Sequence, residues 1–119
     1  MMVRSLTLLR HGRTSYNAEG RFQGQVDVPL DSLGEAQARA VATHLAGSAT
    51  VSRIVASDLR RAAQTAQALS DQTGVAVEFD SALREISVGD WEGHTRDEVA
   101  QLWPDELDAW LAGVDMRPP

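Results

Sequence analysis

The sequence contains no cysteine, which excludes disulfide scaffolds, thiolate nucleophiles and cysteine-bound zinc, and makes the cytoplasm the expected compartment. It contains no lysine either. All 11 basic residues are arginine, so any anion site must be built from planar guanidinium forks rather than ammonium point charges. Long apolar runs are also missing. The stretch at residues 6–9 is cut off by Arg10 and His11, too soon for the core of a signal peptide, and no other stretch approaches bilayer-spanning length. Positive charge is in the minority, with 11 basic against 17 acidic residues and a net charge of −6, the wrong sign for neutralising a phosphate backbone. Neither nucleic acid nor a membrane is an expected partner.

What is present, 119 residues with 43% hydrophobic and 24% charged, suits one globular domain with one core. Residues 5–9, with Leu6, Thr7, Leu8 and Leu9, read as a buried strand halted at Arg10. Residues 12–29 show no period, hold three glycines and are too long for a plain connector, which makes them a candidate binding loop. Ser32 and Glu35 stand at capping-box spacing, and Leu33, Ala36, Ala40, Val41 and Leu45 follow at helical intervals up to a stop at Gly47. Residues 51–57 read as a second strand, after which Asp58 caps a helix that runs to about Thr73 and closes at Gly74. A third strand follows at 75–79, then an irregular stretch at 82–93 and a helix over 95–103. Pro104 opens a further helix with Asp105 and Glu106 in its first turn. This order predicts an α/β fold with a mostly parallel sheet and helices on both faces, its ligand site lying beyond the carboxyl ends of the strands. Arg10, His11, Ser57 and Asp58 all fall there.

Arg10 and His11 directly follow the first strand, and Gly12 lets a ligand approach the backbone. A neutral imidazole is a competent nucleophile near pH 7, and a neighbouring guanidinium neutralises the phosphoryl oxygens it attacks. The run Leu9, Arg10, His11, Gly12, Arg13, Thr14, continued by Asn17, Gly20, Arg21, Phe22, Gln23 and Gly24, resembles the signature of the histidine phosphatase superfamily. The best-known branch of that family is the cofactor-dependent phosphoglycerate mutases. Two further blocks resemble it in order: residues 57–66, then Leu83, Arg84, Glu85, Ile86, Gly89, Trp91, Glu92 and Gly93.

The resemblance implies that His11 is the nucleophile that becomes phosphohistidine, that Arg10 and Arg61 clamp the phosphoryl group, and that Glu85 donates a proton to the leaving oxygen. Asn17, Gln23 and Gly24 match positions that contact phosphate or the rest of the substrate. Two guanidinium groups stabilise phosphoryl transfer without a metal, so neither metal nor cofactor is implied. Successive helical residues point about a hundred degrees apart, so only one of Arg60 and Arg61 faces the site. The resemblance selects Arg61 and leaves Arg60 a solvated charge. A structural ion pair is the alternative role for Arg61, and turn or loop polarity for Asn17, Gln23 and Gly24. Arg13 departs from the acidic or amide residue common in the family, and either tunes substrate choice or faces solvent. His44 is expected at the core edge, His94 in water, Glu92 in water with assistance to Glu85 as the alternative, and Trp91, Trp103 and Trp110 in core or rim packing.

The function this implies is a metal-independent phosphomonoester hydrolase acting on a small phosphorylated metabolite through phosphohistidine. One alternative is a phosphoglycerate mutase, which returns the phosphoryl group to a substrate hydroxyl. A noncatalytic module that binds phosphorylated ligands through Arg10 and Arg61 is the other. Members of the family carry a second catalytic histidine near the C-terminus, and no such motif occurs in these 119 residues. The chain is therefore expected to be the N-terminal portion of a phosphoglycerate mutase-like domain spanning 1–119, a fragment rather than a degenerate short protein, and by itself an impaired catalyst.

Overall fold

A computed structural model describes residues 5–119. Two short strands, β1 (Ile54–Ala56) and β2 (Val77–Phe79), run parallel with Ile54 opposite Val77 and Ala56 opposite Phe79. The chain crosses between them through α3 (Arg60–Thr73), which packs on both strands and against α2 (Ser32–Ser48). Alternation along β1 turns Ile54 and Ala56 to the same side, into a core with Ala42, Ala66 and Leu69.

Small residues set the contact between α2 and its surroundings. The buried stripe is Gly34, Ala38 and Ala42, whereas Leu33, expected on the inner face, is 46% exposed. A Cβ at Gly34 would overlap the Arg13 carbonyl oxygen, and one at Gly12 would overlap the Gly34 carbonyl oxygen. Gly12 thus serves the close approach of two protein backbones, where the sequence suggested the approach of a ligand.

The strand expected at residues 5–9 does not form, and Leu6 and Leu8 are 79% and 87% exposed. A strand persists only where a neighbour takes its backbone hydrogen bonds, and among the described residues β1 and β2 pair only with each other. Helices likewise cover one face of the sheet rather than both, since Val55, on the opposite face of β1, is 43% exposed. The two strands are also shorter than the apolar runs that predicted them.

Helix ends follow local chemistry. Gly74 closes α3 with φ 75° in the left-handed region, as expected. At the other end Leu59 is the cap residue and no side chain caps it. Asp58 is instead engaged by Arg84 through two hydrogen bonds of 2.6 Å, and the Arg60 N–H donates to Asp27 Oδ1 at 2.7 Å. On α2 the cap is Asp31 rather than Ser32, and the helix continues through Gly47, because a single glycine lowers helix propensity without forbidding the conformation.

Beyond β2 the chain builds a second apolar cluster. A 3-10 turn at Gly89–Trp91, α4 (Arg96–Leu102) and α5 (Pro104–Leu111) bring Val88, Trp91, Val99 and Leu107 together, with Phe22, Trp103 and Trp110 packed around them. Thr95 and Glu98 form the capping box of α4, and Pro104 starts α5 at its first position. Trp91 is fully buried, with Phe22 and Trp110 at ring-centroid distances of 5.5 and 5.6 Å. His94 lies against Trp103 with its Nδ1 buried, and His44 is exposed. Both differ from expectation, because each histidine takes its exposure from what packs on it, which local sequence does not specify.

Candidate active site

The aperiodic segment at 12–29 contains one short helix that its composition did not reveal, α1 (Ser15–Glu19). Thr14, fully buried, caps it: the Asn17 N–H donates to Thr14 Oγ1 at 3.1 Å, and Asn17 Oδ1 accepts from the Thr14 N–H at 2.9 Å. The Thr14 hydroxyl also donates to Gln23 Oε1 at 2.7 Å. The side-chain oxygens of Asn17 and Gln23 therefore both hold the loop on Thr14.

The N-terminal half of α3 carries the remainder. Gly12 donates its N–H to Thr65 Oγ1 at 3.1 Å, and Leu30 donates to Gln64 Oε1 at 2.7 Å. Arg61 is 3% exposed and donates to the carbonyls of Val26 and Gly24, each at 2.7 Å. Arg60 is exposed and lies 3.7 Å from Asp27, so the helix directs Arg61 inward and Arg60 outward, a separation its period supplies without choosing which of the two is buried. From the other side Glu92 Oε1 accepts the N–H groups of Gln25 and Val88, at 3.1 and 3.2 Å. A Cβ at Gly24 would overlap that same oxygen, and Gly24 has φ 51°, which makes glycine the residue this position accepts. Glu92, expected in water, is half-buried and pins the loop.

His11 sits half-buried at the start of this assembly, and its Nδ1 donates to the Gly12 carbonyl at 2.6 Å. A carbonyl can only accept, so Nδ1 carries the proton and Nε2 keeps its lone pair in the neutral ring. Burial lowers the imidazole pKa; the Gly12 hydrogen bond opposes that, the charges of Arg61 and Arg10 add to the lowering, and Glu85 opposes it. The charges of the three other residues assigned to catalysis by the resemblance, Arg10, Arg61 and Glu85, thus all act on this ring. Glu85 is exposed, with Oε1 accepting from the Ile86 N–H at 2.9 Å and its carbonyl accepting from Gln25 Nε2 at 3.1 Å. A cleft of about 380 Å³ is lined by Arg10, His11, Gly12, Arg13, Asn17 and Gln37.

A pH effect follows from the direction of the His11 shift. With its pKa below the ordinary value of about 6.5, the folded chain holds the neutral ring to lower pH than an unfolded chain does. The unfolded state then binds more protons as pH falls, so this residue's contribution to stability is complete above about pH 6.5 and is lost on acidification. Imidazole NMR titration is expected to place the His11 midpoint below the ordinary value of about 6.5, and a midpoint at or above that value would refute the shift.

Sequence reasoning gave Thr14 and Thr65 no role in the site, and offered Glu92 only assistance to Glu85 as the alternative to exposure. The signal available for Thr65 was its spacing four residues beyond Arg61, which puts both on one face of α3.

The fold and site define a class: an α/β domain whose loops gather guanidinium groups around a histidine with one free ring nitrogen, an arrangement suited to an anionic ligand. The chain belongs to the histidine phosphatase superfamily (branch 1), whose family model matches residues 6–119. It is 50% identical over 110 residues to a glucosyl-3-phosphoglycerate phosphatase of Mycolicibacterium vanbaalenii, covering 92% of this chain and 48% of the relative. A probable phosphoglycerate mutase GpmB of Enterobacter sp. is 43% identical over 103 residues, covering 87% of this chain and 46% of the relative. A solved mycobacterial glucosyl-3-phosphoglycerate phosphatase in complex with VO3 superposes with a TM-score of 0.84 at 42% identity, over 91% of this chain and 51% of that one. The chain spans about half the length of the curated relatives it matches. No helix among the described residues is long and apolar enough to cross a membrane.

Proposed function

We propose that this chain carries the phosphoryl-accepting half of a metal-independent phosphomonoester hydrolase that works on a small phosphorylated metabolite through phosphohistidine. The observation that carries the reading is the Nδ1–H bond from His11 to the Gly12 carbonyl, which leaves Nε2 unprotonated beside the Arg10 and Arg61 charges. In the proposed step Nε2 attacks phosphorus while the ester P–O bond breaks, and the protonated carboxyl of Glu85 gives its proton to the leaving oxygen. Water then attacks the phosphohistidine, the P–N bond breaks, inorganic phosphate leaves and Glu85 recovers a proton from the water. Arg10 and Arg61 offset the charge on the transferred group. In this reading Arg61 has a double task, since one N–H on each terminal nitrogen already holds a loop carbonyl. Asn17, Gln23 and Gly24 act by shaping the loop against which the phosphate rests.

The relatives' names support phosphorylated glycerates as the substrate class, and one of those names favours the mutase alternative. Incubation with 3-phosphoglycerate followed by phosphorus NMR separates the readings. Inorganic phosphate is the expected product. Accumulation of 2-phosphoglycerate would establish the mutase instead, and binding with no phosphohistidine on rapid quench would establish a binding module.

A further inference from the structure

Arg13 lines the same cleft as His11 and is held on every side except one. Its N–H donates to Gln37 Oε1 at 3.0 Å, its carbonyl accepts from the Asp31 N–H at 3.0 Å, and its Nε donates to Asp31 Oδ2 at 2.7 Å. Asp31 divides its carboxylate: Oδ1 caps α2 through the Gly34 N–H at 2.7 Å, and only Oδ2 meets Arg13. The side-on pair, in which a second guanidinium nitrogen would bond the second oxygen, is therefore not made. The guanidinium is fixed by Nε while its terminal nitrogens have no hydrogen-bond partner among the described residues. An exposed ion pair of this kind contributes little to stability by itself. A fixed guanidinium with a free two-nitrogen edge is, by contrast, preorganised for a planar carboxylate.

We infer that Arg13 forms a second anion subsite beside the phosphoryl site and selects phosphomonoesters that also carry a carboxylate. The inference rests on the phosphomonoester reading above and adds the substrate's second charged group to it. Arg10 and Arg61 attend the phosphoryl end near His11, whereas Arg13, two residues along the chain and anchored to the start of α2, meets the other end of a short substrate.

The test uses two probes that differ only at that end, 3-phosphoglycerate, with a carboxylate, and glycerol 3-phosphate, with a hydroxymethyl group. Binding of each to the full chain is measured by calorimetry at low ionic strength, where exposed charges are least screened. Arg13→Gln is expected to weaken 3-phosphoglycerate roughly five- to tenfold, the scale of one partly exposed charge-assisted contact, and to leave glycerol 3-phosphate within about twofold. Arg13→Lys is expected to recover part of the loss, because it restores the charge without the fork. Equal weakening of both probes would overturn the inference and make Arg13 a structural tether, and so would no weakening of either. Failure of glycerol 3-phosphate to bind the unaltered chain would sink both this inference and the phosphomonoester reading. Binding of that probe with no effect of Arg13→Gln would sink the Arg13 subsite alone.

Discussion

Replacing His11 with alanine is expected to abolish covalent labelling of the chain by a phosphoryl donor while leaving the melting temperature within a few degrees of the unaltered protein. The chemical part follows from nucleophilic catalysis: in the proposed step His11 Nε2 is the attacking atom, and removing a covalent nucleophile costs on the order of 10³-fold or more. The structural part follows from what the side chain touches. Its one hydrogen bond among the described residues runs to the adjacent Gly12 carbonyl, and the contacts that hold this stretch in place come from the backbone of Gly12 to Thr65 and Gly34. A rapid acid quench loses phosphohistidine, so the label is trapped in alkali and counted. Retained labelling in His11→Ala would move the nucleophile elsewhere, and a large drop in melting temperature would make the loss of label uninformative about chemistry.

Trp91→Ala is the counterpart experiment, with its expected effect on stability. The ring is fully buried, lies between Phe22 of the loop and Trp110 of α5, and shares a cluster with Val88, Val99 and Leu107. Truncating a buried aromatic to alanine costs about 3–5 kcal/mol, through lost transfer energy and an unfilled cavity. That is a large part of the stability of a domain this size. The expected result is an unfolding free energy, measured by urea titration, lowered by that amount, with Trp91→Phe losing less than half as much because a ring still fills most of the space. Phe22 exchanges backbone hydrogen bonds with Gly93 and His94, its N–H donating to the His94 carbonyl and its carbonyl accepting from Gly93. The alanine variant is therefore expected to loosen the loop's grip on phosphate as well. A loss of unfolding free energy below about 1 kcal/mol would show that this cluster is peripheral to folding.

Features written in short stretches of sequence survive in the structure. The left-handed stop at Gly74, the capping box of Thr95 and Glu98 and the start at Pro104 need only neighbours a few residues away. That Arg60 and Arg61 face different ways likewise follows from helical period, while the choice of Arg61 for the site came from the resemblance. The strand expected at 5–9 was not legible in this way, because its apolar residues state that burial is favourable but not which strand supplies the hydrogen bonds. Asp58 failed as a cap for a similar reason. Its composition suits the role, but Arg84, distant in sequence, captures both oxygens, and Asp27 reaches the Arg60 N–H from the loop. The three motif blocks named the loop that matters and contain Thr14, Thr65 and Glu92, but that these side chains hold it emerged only once distant segments were brought together.

The dependence of residues 12–30 on α3 has a dynamic consequence. Gly12, Leu30 and the carbonyls of Gly24 and Val26 are all tied to side chains from a single helix, so this loop cannot detach one contact at a time without leaving buried polar groups unpaired. Amide exchange at Gly12 and Leu30 therefore belongs to the same opening event as the first turns of α3, and a ligand that slows one slows the other. The recognition loop is in this sense part of a cooperative folding unit, and the helix registers occupancy of the cleft as a change in its own protection.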